Sequence, residues 1–341
     1  MPRIDPASVT RWITTAALAH GDALPNHLVQ RLQISRRQAR SLLKRLVALQ
    51  WLQASGTPRA PRHAPGPLRQ VVKRYPLAGL QEDTPWRCDF APCFALPASV
   101  KAMAQHAFTE LLNNAIDHSG GESVTVSMRQ TPLQLQLLVS DDGVGLFRRV
   151  AEHFELAEPA VAMMELAKGK LTSDPERHCG HGLFFTSQLA DVFDLHANAV
   201  SFQRRGWDAG RWNAQRPVTR AGTSIYWAVA LDTPRTLEHV LCSHSMSGTG
   251  YGFERTRVPL ALLAPPGMRQ LSSRAEARRV AQRLERFACA ELDFTGFEQI
   301  GHGFADELFR VIGRRHPGLE LQPVEAAPPV AAMIAAVRAA A

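Results

Sequence analysis

The stretch Glu110-Leu111-Leu112-Asn113-Asn114-Ala115-Ile116-Asp117 decides how this chain is read. It lies in a longer segment, Pro97 to Ser119, whose apolar residues Val100, Met103, Ala104, Ala107, Phe108, Leu111, Leu112, Ala115 and Ile116 recur at helical spacing. On that helix Glu110, Asn113, Asn114 and Asp117 stand at i, i+3, i+4 and i+7 and share one face. Carboxylate and amide oxygens so placed can hold a hard cation such as Mg2+ and orient a water, which suits phosphate chemistry. A solvated helix face is the other reading.

Working outward, Ser123 to Met128 alternates like a half-buried strand, Gln130-Thr131-Pro132 turns the chain, and Leu133 to Val139 forms a second strand. It ends in Asp141-Asp142-Gly143-Val144-Gly145. Such a run is either a plain turn or a place where glycines admit a ligand close to the backbone and a carboxylate accepts from an adenine amino group. Further on, Gly180-His181-Gly182-Leu183 feeds an apolar segment, Phe184 to Phe193, read as a helix. A glycine loop at a helix N-terminus offers N–H groups and a favourable dipole to phosphates. Lys168 and Lys170 precede it, placed either to reach a γ-phosphate or to be solvated. Gly222-Thr223 opens a last strand, Thr223 to Ala230.

These four motifs, in this order and on these element types, resemble the GHKL ATPase superfamily of gyrase-type ATPases, heat-shock-type chaperones and histidine kinases. The resemblance spans roughly residues 75–232. It implies an ATP site with Mg2+, in which Glu110 is the general base orienting the attacking water and Asn114 is the Mg2+ ligand. Asn113 lies beside them, and Asp117 supports the base through a water. Asp141 would read adenine, flanked by Gly143 and Gly145, with Thr223 as a second contact near the base. Gly180, His181, Gly182 and Leu183 would form the phosphate loop, which His178 and His181 bracket, and residues 146–180 a lid. The sequence departs from the pattern at Phe184, where many histidine kinases carry a further Gly.

The flanks carry their own signals. Apolar positions define three short helices in the first ~55 residues, and the third buries Ala39, Leu42, Leu43 and Leu46 behind an N-cap at Ser35. Its other face presents Arg36, Arg37, Arg40 and Lys44. A small hairpin begins near Trp51 and turns at Ser55-Gly56, and residues 57–68 read as a Pro-rich connector. This region resembles a winged helix-turn-helix, which implies DNA as a partner, with Arg59 and Arg62 in or after the wing. A dimerisation module with a solvated basic face is the alternative. At the other end, Glu291-Leu-Asp-Phe-Thr-Gly296 followed by Phe304-Ala-Asp-Glu-Leu308 resembles the STAS-like domain of unknown function often fused to such ATPases. In anti-anti-sigma relatives a Ser near the start of the following helix is phosphorylated. Here Ile300-Gly-His-Gly-Phe304 has none, and Thr295 and His302 are the substitutes, against an ordinary turn for both.

Charge sharpens this layout. The chain has 39 basic and 31 acidic residues, net +8. Residues 1–75 hold 13 basic side chains against Asp5 and Asp22, or +11, so the remaining residues total −3. A basic head on a mildly acidic body points to a discrete nucleic-acid-binding module. With 45% apolar and 21% charged residues, the composition excludes a disordered chain. Five scattered Cys argue against a disulfide framework or zinc site. With no apolar leader and no long apolar run, a cytoplasmic protein without a membrane partner is expected.

The expected fold class is thus α/β multidomain: a winged helix over residues 1–63, a GHKL α/β sandwich over 64–235 and a small STAS-like α/β domain over 250–341. The expected function is a slow Mg2+-dependent ATPase that couples nucleotide state to DNA binding and transcription control. A homodimer and a protein partner at the STAS-like domain accompany it. The alternatives are an anti-sigma-type or histidine-type protein kinase and a non-catalytic nucleotide sensor. Residues 57–97 are too short and irregular for the dimerising helical hairpin that carries a kinase's phosphoacceptor His.

Overall fold

The computed structural model describes residues 5, 7–57, 60–156, 158–171, 180–198, 200–208, 212–215, 221–264 and 270–340. The chain forms two compact units, Met1–Gly143 with Ser224–Pro234, and Val144–Thr223 with Arg235–Ala341. The division runs through the segment 64–235 instead of around it.

The first unit begins with three helices, α1 (Ala7–His20), α2 (Leu24–Leu32) and α3 (Arg36–Ala48), and a hairpin of β1 (Leu52–Thr57) and β2 (Ala60–Pro65). Val9, Ile13, Leu24, Leu28, Leu42, Leu46 and Trp51 close a core of their own, each large aliphatic worth roughly 1.5–3 kcal/mol. Ser35 and Gln38 form a reciprocal capping box that starts α3, so Arg36 to Lys44 fall into helical register. The Pro-rich connector expected over 57–68 instead contains a strand, β2. A two-stranded hairpin leaves each strand an unpaired edge, where Pro61 and Pro65 cost no ladder bond. The head is not on a free tether either: Gln70 N donates to Thr14 Oγ1 on α1 at 3.1 Å.

Gln70 belongs to β3 (Arg69–Pro76), which pairs antiparallel with β4 (Ser123–Gln130), and β4 pairs with β5 (Gln134–Asp141). Thr223–Ala230 completes this part of the sheet beside β5. Alternation buries Val124, Val126 and Met128 on β4 and Leu135, Leu137 and Val139 on β5. Helix α4 (Ala98–His118) packs on β5 through its apolar stripe.

The second unit carries α5 (Leu146–Phe154), α6 (Pro159–Lys168) and α7 (Gly182–Leu189), then the antiparallel strands β6 (Val192–Ala197), β7 (Val200–Arg205) and β8 (Trp212–Gln215). The helix expected to run to Phe193 stops at Leu189, and Phe193 lies in β6. Thr223–Ala230 is β9 in chain order. After α8 (Leu237–Ser243), a second sheet of parallel strands β10 (Arg255–Pro259), β11 (Cys289–Asp293) and β12 (Glu320–Val324) is ordered 10-11-12. Three helices accompany it: α9 (Arg274–Ala281), α10 over 302–315 and α11 (Pro328–Ala339). Val258, Leu292, Phe294, Phe304, Leu308, Val330 and Ile334 are buried with them. Among the described residues no helix is long and apolar enough to cross a membrane.

Candidate functional site

Glu110, Asn113 and Asn114 are half-buried on α4 and Asp117 is exposed one turn on, as helical spacing requires. The helix ends at Ser119, whose hydroxyl donates to Ala115 O (2.6 Å) and accepts from Gly121 N (3.1 Å). This end is clamped to the turn after β5. A Cβ on Gly143 would sit 2.1 Å from Ser119 O, so the turn needs glycine there for close approach. Asp142 takes N–H bonds from Glu122 and Ser123, both at 2.9 Å, and the Ser123 hydroxyl at 2.5 Å. The Ser123 hydroxyl and these N–H groups hold the Asp142 carboxyl down at about 2. Asp142 thus ties the turn together.

Asp141 is buried, and its Oδ1 accepts from Gly143 N at 2.9 Å, which sets the direction of the carboxylate. Beside it, the Ser140 and Ser224 hydroxyls pair at 2.7 Å across β5 and β9. The α4 face and Asp141 are therefore held in one rigid piece. On α4, burial lowers the His106 imidazole below its ordinary value, so this His, one turn before Glu110, is kept neutral.

In the second unit, two expected adenine contacts serve a helix terminus. Thr223 Oγ1 accepts from Leu146 N at 3.0 Å, at the start of α5. Gly145 has φ +90, and a Cβ there would lie 2.5 Å from the Asn198 amide. Asn198 donates to Val144 O (2.8 Å) and accepts from Arg148 N (3.0 Å). Asn198 is a structural key that the sequence reading missed; its signal is an Asn between two alternating runs, with φ 51.

Gly180 adopts φ +71, and a Cβ would strike the Leu171 backbone at 2.7 Å. His181 precedes α7, and Gly182 and Leu183 open it. At the far end of α7, Arg204 donates to Ser187 O (2.7 Å) and Arg235 to Leu189 O (2.9 Å). Cations there complement the helix dipole and hold α7 in place. Burial lowers the Arg204 guanidinium to about 10. His178 lies outside the described residues, as does Arg59.

Residues 86–203 match the histidine kinase-like ATPase domain family. Residues 276–331 match the STAS-like domain of unknown function. A search of the curated proteins gives no match to the chain.

The ATPase domain departs from expectation at its two lysines. Lys168 is 1% exposed and so is not a solvated charge. Its Nζ donates to Glu165 Oε1 (2.5 Å) and to Gln282 O (2.9 Å) in the STAS-like domain. Burial lowers its pKa, and Glu165 opposes that. Lys170 Nζ donates to Arg286 O (2.6 Å) and lies over the Phe287 ring at 4.3 Å. Glu165 is one turn from Lys168, but the carbonyls that engage the two cations, Gln282 O and Arg286 O, are more than a hundred residues away in sequence.

Phe184 also finds its reason. It is buried, 4.6 Å from Phe253 and 4.9 Å from His244 between ring centroids. Burial first, then the charge of Lys170, lowers the His181 imidazole, whose ring meets Phe253 edge-on at 4.8 Å. In the STAS-like domain, Thr295 Oγ1 donates to Asp293 Oδ1 at 2.6 Å, so it belongs to a turn after β11; His302 begins α10. On the head, Arg36, Arg37, Arg40 and Lys44 are all exposed, and Arg62 pairs with Asp22 at 3.0 Å on the surface.

Proposed function

We propose that the chain is an ATP-dependent regulator that binds ATP and Mg2+ through its ATPase domain, hydrolyses ATP slowly and couples nucleotide state to DNA binding. The observation that carries this reading is the clamped pair of α4 and the Asp141 turn. A buried, oriented carboxylate suits a hydrogen bond from an adenine amino group, and rigid placement is what base recognition needs. Glu110, half-buried beside the α4 stripe, accepts a proton from the attacking water and orients it. The N–H groups of Gly182 and Leu183 at the start of α7 receive phosphate oxygens.

The donor set fits Mg2+. Among the described residues no cluster of three or more His, Cys, Asp or Glu is built to hold a metal. Mg2+ needs none, since it takes one or two protein oxygens and fills its shell with water and phosphate. The Asn114 amide oxygen is that protein ligand. When bound, the ion neutralises charge developing on the phosphates.

For the head, three helices and a hairpin with an exposed Arg36–Arg37–Arg40–Lys44 face support a winged helix that docks α3 against DNA. Residues 1–63 hold ten basic side chains against Asp5 and Asp22, and this +8 supplies the phosphate contacts that such docking requires. Self-association as a dimer and a protein partner at the STAS-like domain complete the reading.

The test is Glu110→Ala, which should bind ATP like the wild type while losing turnover by at least about a hundredfold. Hydrolysis at the wild-type rate would displace Glu110 from its role. Label from γ-phosphate-labelled ATP found on protein instead of as free phosphate would replace the ATPase reading with that of a kinase.

A further inference from the structure

The glycine loop is gripped on both sides by the C-terminal part of the chain. Ahead of it, Lys168 is bound to Gln282 O, and the Lys168 carbonyl accepts from Thr256 Oγ1 on β10 at 2.7 Å. Arg283 reaches the second oxygen of Glu165 at 3.4 Å. Lys170 and Arg286 exchange side-chain-to-carbonyl bonds in both directions, at 2.6 and 3.0 Å. Gly169 has φ +79, and a Cβ there would meet the Phe253 ring at 2.5 Å. Within the loop His181, and just behind it Phe184 and Phe185, contact that same ring, with centroids 4.8, 4.6 and 5.0 Å away. Phe253 is buried and lies outside both matched segments, just before β10. One aromatic ring therefore seats the backbone before the loop and the first turn of α7 after it.

Backbone N–H groups grip phosphates only when their directions are fixed, and a displacement of about 1 Å in such a constellation costs as much as a hundredfold. We propose that the STAS-like end of the chain completes the phosphate half of the nucleotide site, with Phe253 and Arg286 as positioning residues for the Gly180–Leu183 loop. This inference rests on the nucleotide reading above and extends it: the ligand end governed by these residues is the polyphosphate of a purine nucleotide, not its base. Phe184 in place of a glycine is the ATPase domain's side of the same joint. It exchanges a flexible loop end for a side chain keyed against Phe253.

Calorimetric titration of the full chain with adenosine and with ATP–Mg2+ separates positioning from bulk packing. Phe253→Ala should raise the Kd for ATP about tenfold or more and leave adenosine within about twofold, with Phe253→Leu recovering most of the loss. Arg286 is exposed, so Arg286→Ala should fold normally and weaken ATP alone, by about threefold. If Phe253→Ala does not fold, Arg286→Ala decides. Wild-type ATP affinity in both variants, or in Arg286→Ala alone where it decides, overturns this inference and leaves the nucleotide reading standing. Equal losses for adenosine and ATP assign the joint a general packing role and also overturn it. A wild-type chain that binds no ATP overturns both.

Discussion

Arg36, Arg37, Arg40 and Lys44 on α3 all stand exposed, whereas Lys168 and Lys170, equally basic in the sequence, are engaged inside the second unit. For α3 and for Lys168, the last residue of α6, the difference lies in how each helix is patterned. On α3, Ala39, Leu42, Leu43 and Leu46 mark one buried stripe, and the cations fall on the opposite face. Helix α6 has no such contrast: Val161 to Glu165, Ala167 and Lys168 are buried in near-continuous succession. A charge at the end of such a helix must find a partner inside, because an unpaired buried ammonium is too costly. Basic residues indicate a ligand only where the helix has a polar face to present them.

The largest expected effect comes from breaking the engaged set. Lys168→Met leaves Glu165 buried with Arg283 as its remaining cation and should cost about 3–5 kcal/mol in urea unfolding. A near-neutral result would mean that the pair is solvated. Replacing both members, in Glu165→Met with Lys168→Met, should recover most of the loss. Lys170→Met removes one hydrogen bond and the stack on Phe287, with an expected cost of about 1–2 kcal/mol in the same assay.

Acid sharpens the contrast further. Burial holds the folded imidazoles of His181 and His244 below the ordinary 6.5, so the unfolded chain binds protons first as pH falls. Stability contributed by the neutral imidazoles is therefore present above about pH 6.5 and is lost progressively below it. Unfolding midpoints measured from pH 7.5 to 5 should fall, and less so in His181→Gln. A flat profile would place these rings in water. The smallest stability effect belongs to the exposed set. Arg36→Ala, Arg37→Ala, Arg40→Ala and Lys44→Ala combined should stay within about 0.5 kcal/mol per site, judged from the urea midpoint. The same variant should lose retention on duplex DNA, with the salt slope of binding reduced by about 4. Undiminished retention would move the nucleic-acid surface elsewhere.

Local pattern made α3, α4 and the β4–β5 pair legible, because their signals are periodic within a single element. The Ser35 cap and the Asp141 turn were legible for the same reason, since their partners lie two or three residues away. What escaped was held by distant partners. Lys168 meets a carbonyl 114 residues on, and Arg286 returns a bond to Lys170 across 116. Strand β3, with its run of basic residues, and β12, with Pro323 inside it, carry weak strand signals and are made strands by the neighbours they pair with. Phe193 ends an apolar run with a helical look, whereas Val192 to Ala197 alternates in burial as a strand does once β7 pairs with it.

ATP binding itself is the centre of this account, and Asp141→Asn tests it most directly. Titration of ATP–Mg2+ into wild type should show saturable binding, and Asp141→Asn should weaken it by about tenfold or more, since one carboxylate–adenine hydrogen bond and its orientation are lost. A wild-type chain with no affinity for ATP, or an Asp141→Asn variant that binds as the wild type does, would contradict it.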